Sequence, residues 1–137
     1  MQVSSNNINL EVQEFGHKDN IPLIMISGFG SQLCDWPINL INKIVEREFR
    51  VIIFDNRDVG LSHKFEDNKI DDMNLIWKYS FSREKLSKDV EKPKVPYSLK
   101  DMAEDCINIL SELSIKKAHI LGTSMGGMIA QLVAFNY

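Results

Sequence analysis

Gly122-Thr123-Ser124-Met125-Gly126 is a pentapeptide whose residue types and spacing suit covalent chemistry. It reads G-x-S-x-G, a hydroxyl between two glycines where a strand must turn into a helix. The turn takes about one residue, and that residue adopts a strained backbone. Gly122 and Gly126 carry no side chain, so the following helix can pack against the strand. Ser124 is thereby pushed above the strand's C-terminal edge. The amide of Met125 falls at the helix N-terminus, where partial positive charge favours an oxyanion. The chemistry would be attack by Ser124 on a carbonyl. The competing reading is a glycine-rich turn with an incidental serine. An apolar strand before the motif and an apolar helix after it favour the chemical one.

Several elements must position this turn. Residues 8–15 alternate apolar and polar, which predicts a half-buried strand. Asn6-Asn7 suits a turn back to a short first strand, and residues 16–20 suit a second turn. Residues 21–27 are continuously apolar, as expected of a parallel strand buried on both faces. The sharp loop Gly28-Phe29-Gly30-Ser31 follows. Asp35-Trp36-Pro37 predicts a helix start with Asp35 as N-cap, and helical spacing continues to about Arg47. Residues 50–54 form another apolar strand, ended by Asp55 and a loop over 56–62. Residues 63–96 are charged, with Pro93 and Pro96, and predict a surface excursion. Ser98 caps a helix whose stripe is Leu99, Met102, Cys106, Ile109, Leu110 and Leu113. Residues 118–121 predict a short buried strand. Residues 128–135, nearly all apolar, predict a helix buried on several sides. The fold class is therefore α/β: an N-terminal β-hairpin, then a mainly parallel sheet with helices on both faces.

At 137 residues the chain is expected to form one domain, 1–137, and its 44% hydrophobic content suits an ordinary core. A net charge of −3 gives no reason to expect nucleic acid or an acidic membrane as partner. Cys34 and Cys106 have no metal-ligand spacing; Cys106 reads as buried and Cys34 as a loop residue. No metal and no cofactor are expected. A dinucleotide site is disfavoured, because Leu33 stands where a third glycine would follow Gly28 and Gly30. The first seven residues lack a basic region followed by an apolar run, and no apolar stretch is long enough to span a bilayer. A cytoplasmic protein is the expectation.

Three blocks carry a resemblance: Ile26-Ser27-Gly28-Phe29-Gly30, Phe54-Asp55-Asn56-Arg57-Asp58-Val59-Gly60-Leu61-Ser62, and His119-Ile120-Leu121-Gly122-Thr123-Ser124-Met125-Gly126-Gly127-Met128. Together they resemble α/β-hydrolases of the esterase and proline-iminopeptidase-like group. The middle block and Tyr97-Ser98-Leu99-Lys100-Asp101-Met102-Ala103-Glu104-Asp105 are most similar to the aclacinomycin-methylesterase-like branch. The resemblance covers nearly the whole chain except the 63–96 excursion. It implies the N-terminal half of that fold, with Ser124 as nucleophile and the Phe29 and Met125 amides as oxyanion donors. It further implies structural roles for Gly28, Asp55, Arg57, Gly60, Gly122, Gly126 and Gly127. Asp55 as catalytic acid is the sharper reading, but it precedes the serine, which favours a structural role. One departure is Ser27, where many relatives carry histidine before the oxyanion glycine.

In this fold the triad order is Ser, then Asp or Glu, then His. Residues 125–137 hold none of these partners, and His17, His63 and His119 all lie upstream. Each histidine is expected to be packed or solvated. The expectation is thus the N-terminal portion of a serine hydrolase that cleaves small carboxylic esters through an acyl-enzyme on Ser124. Base and acid would come from elsewhere, such as a complementary C-terminal piece. The alternative is a catalytically incomplete fragment or pseudoenzyme.

Overall fold

The structure is a computed structural model that describes residues 1–65 and 95–137. Strands β1 (Gln2–Ser5) and β2 (Ile8–Phe15) form an antiparallel hairpin. Its two turn residues, Asn6 and Asn7, have φ of 45° and 67°, as a twist-matched two-residue turn requires. Strand β3 (Ile21–Ile26) leads through a short 3-10 turn (Leu33–Asp35) to helix α1 (Ile38–Val45). Strand β4 (Phe49–Phe54), helix α2 (Leu99–Glu112), strand β5 (His119–Gly122) and helix α3 (Met125–Asn136) follow. The sheet order is β1-β2-β4-β3-β5, with β3 parallel to both β4 and β5 and β2 antiparallel to β4.

Both faces of the sheet are covered, which is why β3 and β4 read as continuous apolar runs. Ile24, Ile26, Ile52 and Phe54 join Leu10 and Val12 against Met102, Cys106 and Ile109 of α2 and Ile129 and Val133 of α3. The alternate residues Leu23, Met25, Val51 and Ile53 pack with Leu33 and with Ile41 of α1 on the other face.

Three local expectations are corrected. Asp35 does not cap α1, because Pro37 holds that position. Its carboxylate instead accepts the Gln32 N–H at 2.8 Å and closes the preceding 3-10 turn. The strand expected at 118–121 runs from His119 to Gly122 and is not buried: His119 is exposed and the rest half-buried. It lies at the sheet edge, pairing with β3 alone among the described residues. Helix α3 buries only Gly126, Ile129 and Val133; Met128 is 56% and Phe135 88% exposed. Apolar composition alone therefore overstated how much of this helix the described residues cover.

The capping expectation for α2 holds. Ser98 Oγ accepts the Asp101 N–H at 3.4 Å, and the Asp101 carboxylate accepts the Ser98 N–H at 2.7 Å. The Ser98 hydroxyl also donates to that carboxylate at 2.6 Å, and this bond, with the one from the Ser98 N–H, holds the Asp101 carboxyl below the usual carboxylate range. Ser98→Ala is expected to destabilise the chain by about 1 kcal/mol in urea unfolding. Because Asp101 has a lowered folded pKa, its contribution is full above the unfolded value of 3.8 and is lost as pH falls through the folded one. The Ser98→Ala deficit should therefore shrink in acid below about pH 4.

The 63–96 excursion falls mostly outside the described residues, but its two ends are visible. Asp58, at φ 62°, accepts the Phe65 N–H at 2.7 Å on one carboxylate oxygen and the Tyr97 hydroxyl at 2.7 Å on the other. The Phe65 and Tyr97 rings lie 5.2 Å apart, and the Arg57 guanidinium packs over both. Burial and the bond to Asp58 push the Tyr97 phenol well above its ordinary value, so it stays a donor. Entry and exit of the excursion are thus fastened to one another.

Candidate active site

The G-x-S-x-G turn follows β5 directly. Gly122, the last residue of the strand, pairs with Ile26 of β3, and the Thr123 N–H donates to the Ile26 carbonyl at 3.1 Å. Ser124 then takes φ 52° and ψ −121°, a conformation natural to glycine and strained for any other residue. The chain reverses there into α3. Ser124 is exposed, as a side chain lifted above the strand end should be. Its hydroxyl does not cap α3 and makes no hydrogen bond among the described residues.

The glycines explain how so sharp a bend closes. A Cβ on Gly122 would overlap the Gly126 carbonyl, and one on Gly126 would overlap the Ile26 carbonyl. The helix therefore lies against both β5 and the end of β3. Gly127 is under no such constraint, since a Cβ there meets its nearest atom at 3.5 Å. Gly126→Ala is expected to lower stability by at least about 2 kcal/mol. Gly127→Ala, inside the helix, is expected to be neutral or to raise stability by up to about 1 kcal/mol. Thermal unfolding of the pair of variants checks both.

The loop after β3 reaches the same point. Gly28 is buried, and a Cβ on it would stand 3.3 Å from Ser124 Cβ and 3.8 Å from Ser124 Oγ. The Gly28–Phe29 peptide therefore lies beside the serine. Neither the Phe29 nor the Met125 N–H has an acceptor among the described residues. The Phe29 ring is 87% exposed. The adjacent pairs Gly28-Phe29 and Ser124-Met125, far apart in sequence, thus share one corner at the C-terminal ends of β3 and β5.

Asp55, Arg57 and Gly60 lie next door, after β4. Asp55 is buried, and its carboxylate accepts the Leu33 N–H at 2.7 Å and the Leu61 N–H at 2.9 Å. A Cβ on Gly60, at φ 51°, would overlap that carboxylate. Both Asp55 oxygens are thus engaged by backbone, as a structural role demands. Arg57 forms a two-pronged pair with buried Asp105 of α2, Nε to Oδ2 at 2.5 Å and Nη2 to Oδ1 at 2.8 Å. Burial opposes the Arg57 charge, but the hydrogen bond and attraction to Asp105 outweigh it and raise its pKa. Ser5 donates to Asp105 Oδ1 at 2.6 Å, and Asn108 donates to Ser5 at 2.9 Å.

Sequence reasoning missed Asp105, Ser5 and Asn56 as working parts. Asp105 offered a signal: it lies between Met102, Cys106 and Ile109, on the apolar side of α2. A carboxylate there calls for a buried partner. Ser5 shares the buried side of β1 with Val3.

The histidines are distributed elsewhere. His17 lies 3.4 Å from Asp19 in an exposed turn. The His63 ring stands edge-on to Phe65, centroids 4.7 Å apart. His119 starts β5, at the end opposite Ser124, and its ring packs on Phe49 at 5.8 Å. Cys106 is buried and Cys34 exposed. Burial, with Asp105 beside it, raises the Cys106 pKa and keeps that thiol protonated. Among the described residues, no three metal-binding side chains gather, and no helix is long and apolar enough to cross a membrane. A cavity of about 860 Å³, lined by Ile21, Leu110, Ala118, His119 and Val133, opens at the N-terminal ends of β3 and β5. It is at the wrong end of the sheet to serve Ser124.

Comparison with known proteins agrees with this fold. The family model described as alpha/beta hydrolase fold matches residues 21–137. The chain is 23% identical over 134 residues to rhodomycin D methylesterase DauP of Streptomyces sp. (strain C5), covering 98% of this chain and 37% of that protein. It shows the same identity and coverage with rhodomycin D methylesterase DnrP of Streptomyces peucetius. Among solved structures, the enol-lactonase from Burkholderia xenovorans LB400 superposes with a TM-score of 0.72 at 19% identity, covering 100% of this chain and 42% of that one. The likeness to that structure is one of fold. This chain spans 37% of the length of the two methylesterases.

Proposed function

Because this chain belongs to the alpha/beta hydrolase fold family, we propose that it is the nucleophile-bearing portion of a hydrolase of small carboxylic esters. Ser124 Oγ attacks the ester carbonyl while a base takes its proton. The carbonyl oxygen becomes an oxyanion between the Phe29 and Met125 N–H groups. Collapse expels the alcohol, which receives the proton, and leaves an acyl group on Ser124. Water attacks that acyl carbon, releases the acid and returns the hydroxyl. The base and its orienting acid come from polypeptide outside these 137 residues. The proposal is of a cytoplasmic protein that uses no cofactor and acts on neither nucleic acid nor membrane.

One observation carries this reading: the Ser124 hydroxyl is exposed, held on a strained backbone, and spent on no hydrogen bond among the described residues. The ester class is supported by the methylesterase relatives. The test is a fluorophosphonate probe on the polypeptide that carries this sequence in the cell. The adduct is expected on Ser124 and lost in Ser124→Ala. Undiminished labelling of Ser124→Ala would falsify the assignment.

A second reading, a non-catalytic fragment or pseudoenzyme, is favoured by the positions of His17, His63 and His119, none of which contacts Ser124 among the described residues. Ester turnover by the 137-residue chain alone, abolished in Ser124→Ala, would count against it.

A further inference from the structure

We propose that Asn56 is a positioning residue that sets the Phe29 amide against Ser124. The loop between β3 and α1 must hold its Gly28–Phe29 peptide beside the serine, yet that loop has little structure of its own. Ahead of the 3-10 turn at Leu33–Asp35, its internal support among the described residues is a single turn, the Ser31 N–H donating to the Gly28 carbonyl at 3.3 Å. The remaining ties come from two adjacent side chains at the end of β4. Asn56, 2% exposed, donates from Nδ2 to the Ser27 carbonyl at 3.2 Å. Asp55, equally buried, accepts the Leu33 N–H at 2.7 Å. One fixes the loop immediately before Gly28 and the other fixes it where it ends.

The Asn56 bond is the one closest to the chemistry. The Ser27 carbonyl and the Phe29 N–H are separated by only the two peptide units that flank Gly28. Gly28 has no side chain to brace it; on that side it faces only the elbow, Ser124 Cβ and the Thr123 carbonyl, 3.3 and 3.4 Å from where its Cβ would stand. Rotation of the Ser27 carbonyl would swing the Gly28–Phe29 peptide and turn its N–H away from the oxyanion position. A buried amide donor on that carbonyl prevents the rotation, and because β4 is central in the sheet the mount is rigid.

This inference rests on the proposed oxyanion role of Phe29, but its test separates the two. Amide hydrogen exchange on the whole chain reads the mount without catalysis. In Asn56→Asp, which replaces the donor by a repelling carboxylate, amides 28–33 should exchange at least about tenfold faster while β3, β4 and β5 keep their protection. Asn56→Ala should act in the same direction and serves if Asn56→Asp fails to fold. Inactivation by the fluorophosphonate is measured in parallel. Its maximal rate should fall about tenfold to a hundredfold with half-saturation within twofold, since misplacing a donor by about 1 Å is enough for that. Unchanged exchange over 28–33 overturns the proposal, as does loss of protection across the whole sheet in both variants. If the native protein shows no labelling at Ser124, the hydrolase reading fails, and loop exchange alone then decides the role of Asn56.

Discussion

Arg57→Met is expected to destabilise the chain by about 3–5 kcal/mol, a large share of the 5–15 kcal/mol that holds a typical domain together. The guanidinium and the Asp105 carboxylate are both almost wholly buried, with side-chain exposures of 6% and 2%. Methionine fills much of the arginine's volume, so the loss would come from leaving Asp105 charged and unpaired. Attraction between the partners offsets desolvation only while both are present. The double variant Arg57→Met/Asp105→Leu should therefore recover most of the loss, though Ser5 would then lack its acceptor. Urea unfolding of the two single variants and the double gives the coupling energy directly. A double variant as unstable as the sum of the singles would show that the pair contributes nothing as a pair.

This pair also marks the limit of what residues disclose by pattern. The apolar runs of β3 and β4, the alternation of β2, the Ser98 cap and the G-x-S-x-G turn were legible, because each is a local consequence of backbone geometry and burial. The corner formed by Gly28 and Ser124 was legible only through resemblance, since no local rule says that two loops so far apart must meet. The Arg57–Asp105–Ser5 network joins three distant elements; Asp105, on the apolar side of α2, signals a buried partner, but no local pattern says which residue that partner is. The extent of burial of α3 was misread for a related reason: an all-apolar helix discloses a preference for cover, not which residues provide it.

Ser124→Gly should separate reactivity from stability. Serine at φ 52° and ψ −121° carries about 1–3 kcal/mol of backbone strain, which glycine escapes. Glycine also loosens the unfolded chain by about 0.4–1 kcal/mol. The net expectation is a gain of about 1 kcal/mol. Ser124→Ala keeps the strained backbone and should leave stability within about 0.5 kcal/mol of the native chain. Both should lose at least about a thousandfold in the rate of covalent labelling, because no other group can replace the hydroxyl. Thermal melts together with labelling time courses test this. If glycine and alanine melt alike, the bend stores no strain, and its sharpness has another origin.

The fastening of Phe65 to Tyr97 through Asp58 and Arg57 has an evolutionary consequence. Whatever sequence is spliced between those two aromatic residues departs from and returns to nearly the same spot. Doubling the length of such an insert adds only about 0.6 kcal/mol of closure entropy. Lineages are therefore free to rewrite, lengthen or shorten that stretch while the strands beneath keep their register. Diversity among descendants of this chain should concentrate between the two rings, and Asp58 and Arg57 should stay fixed as the price of that freedom.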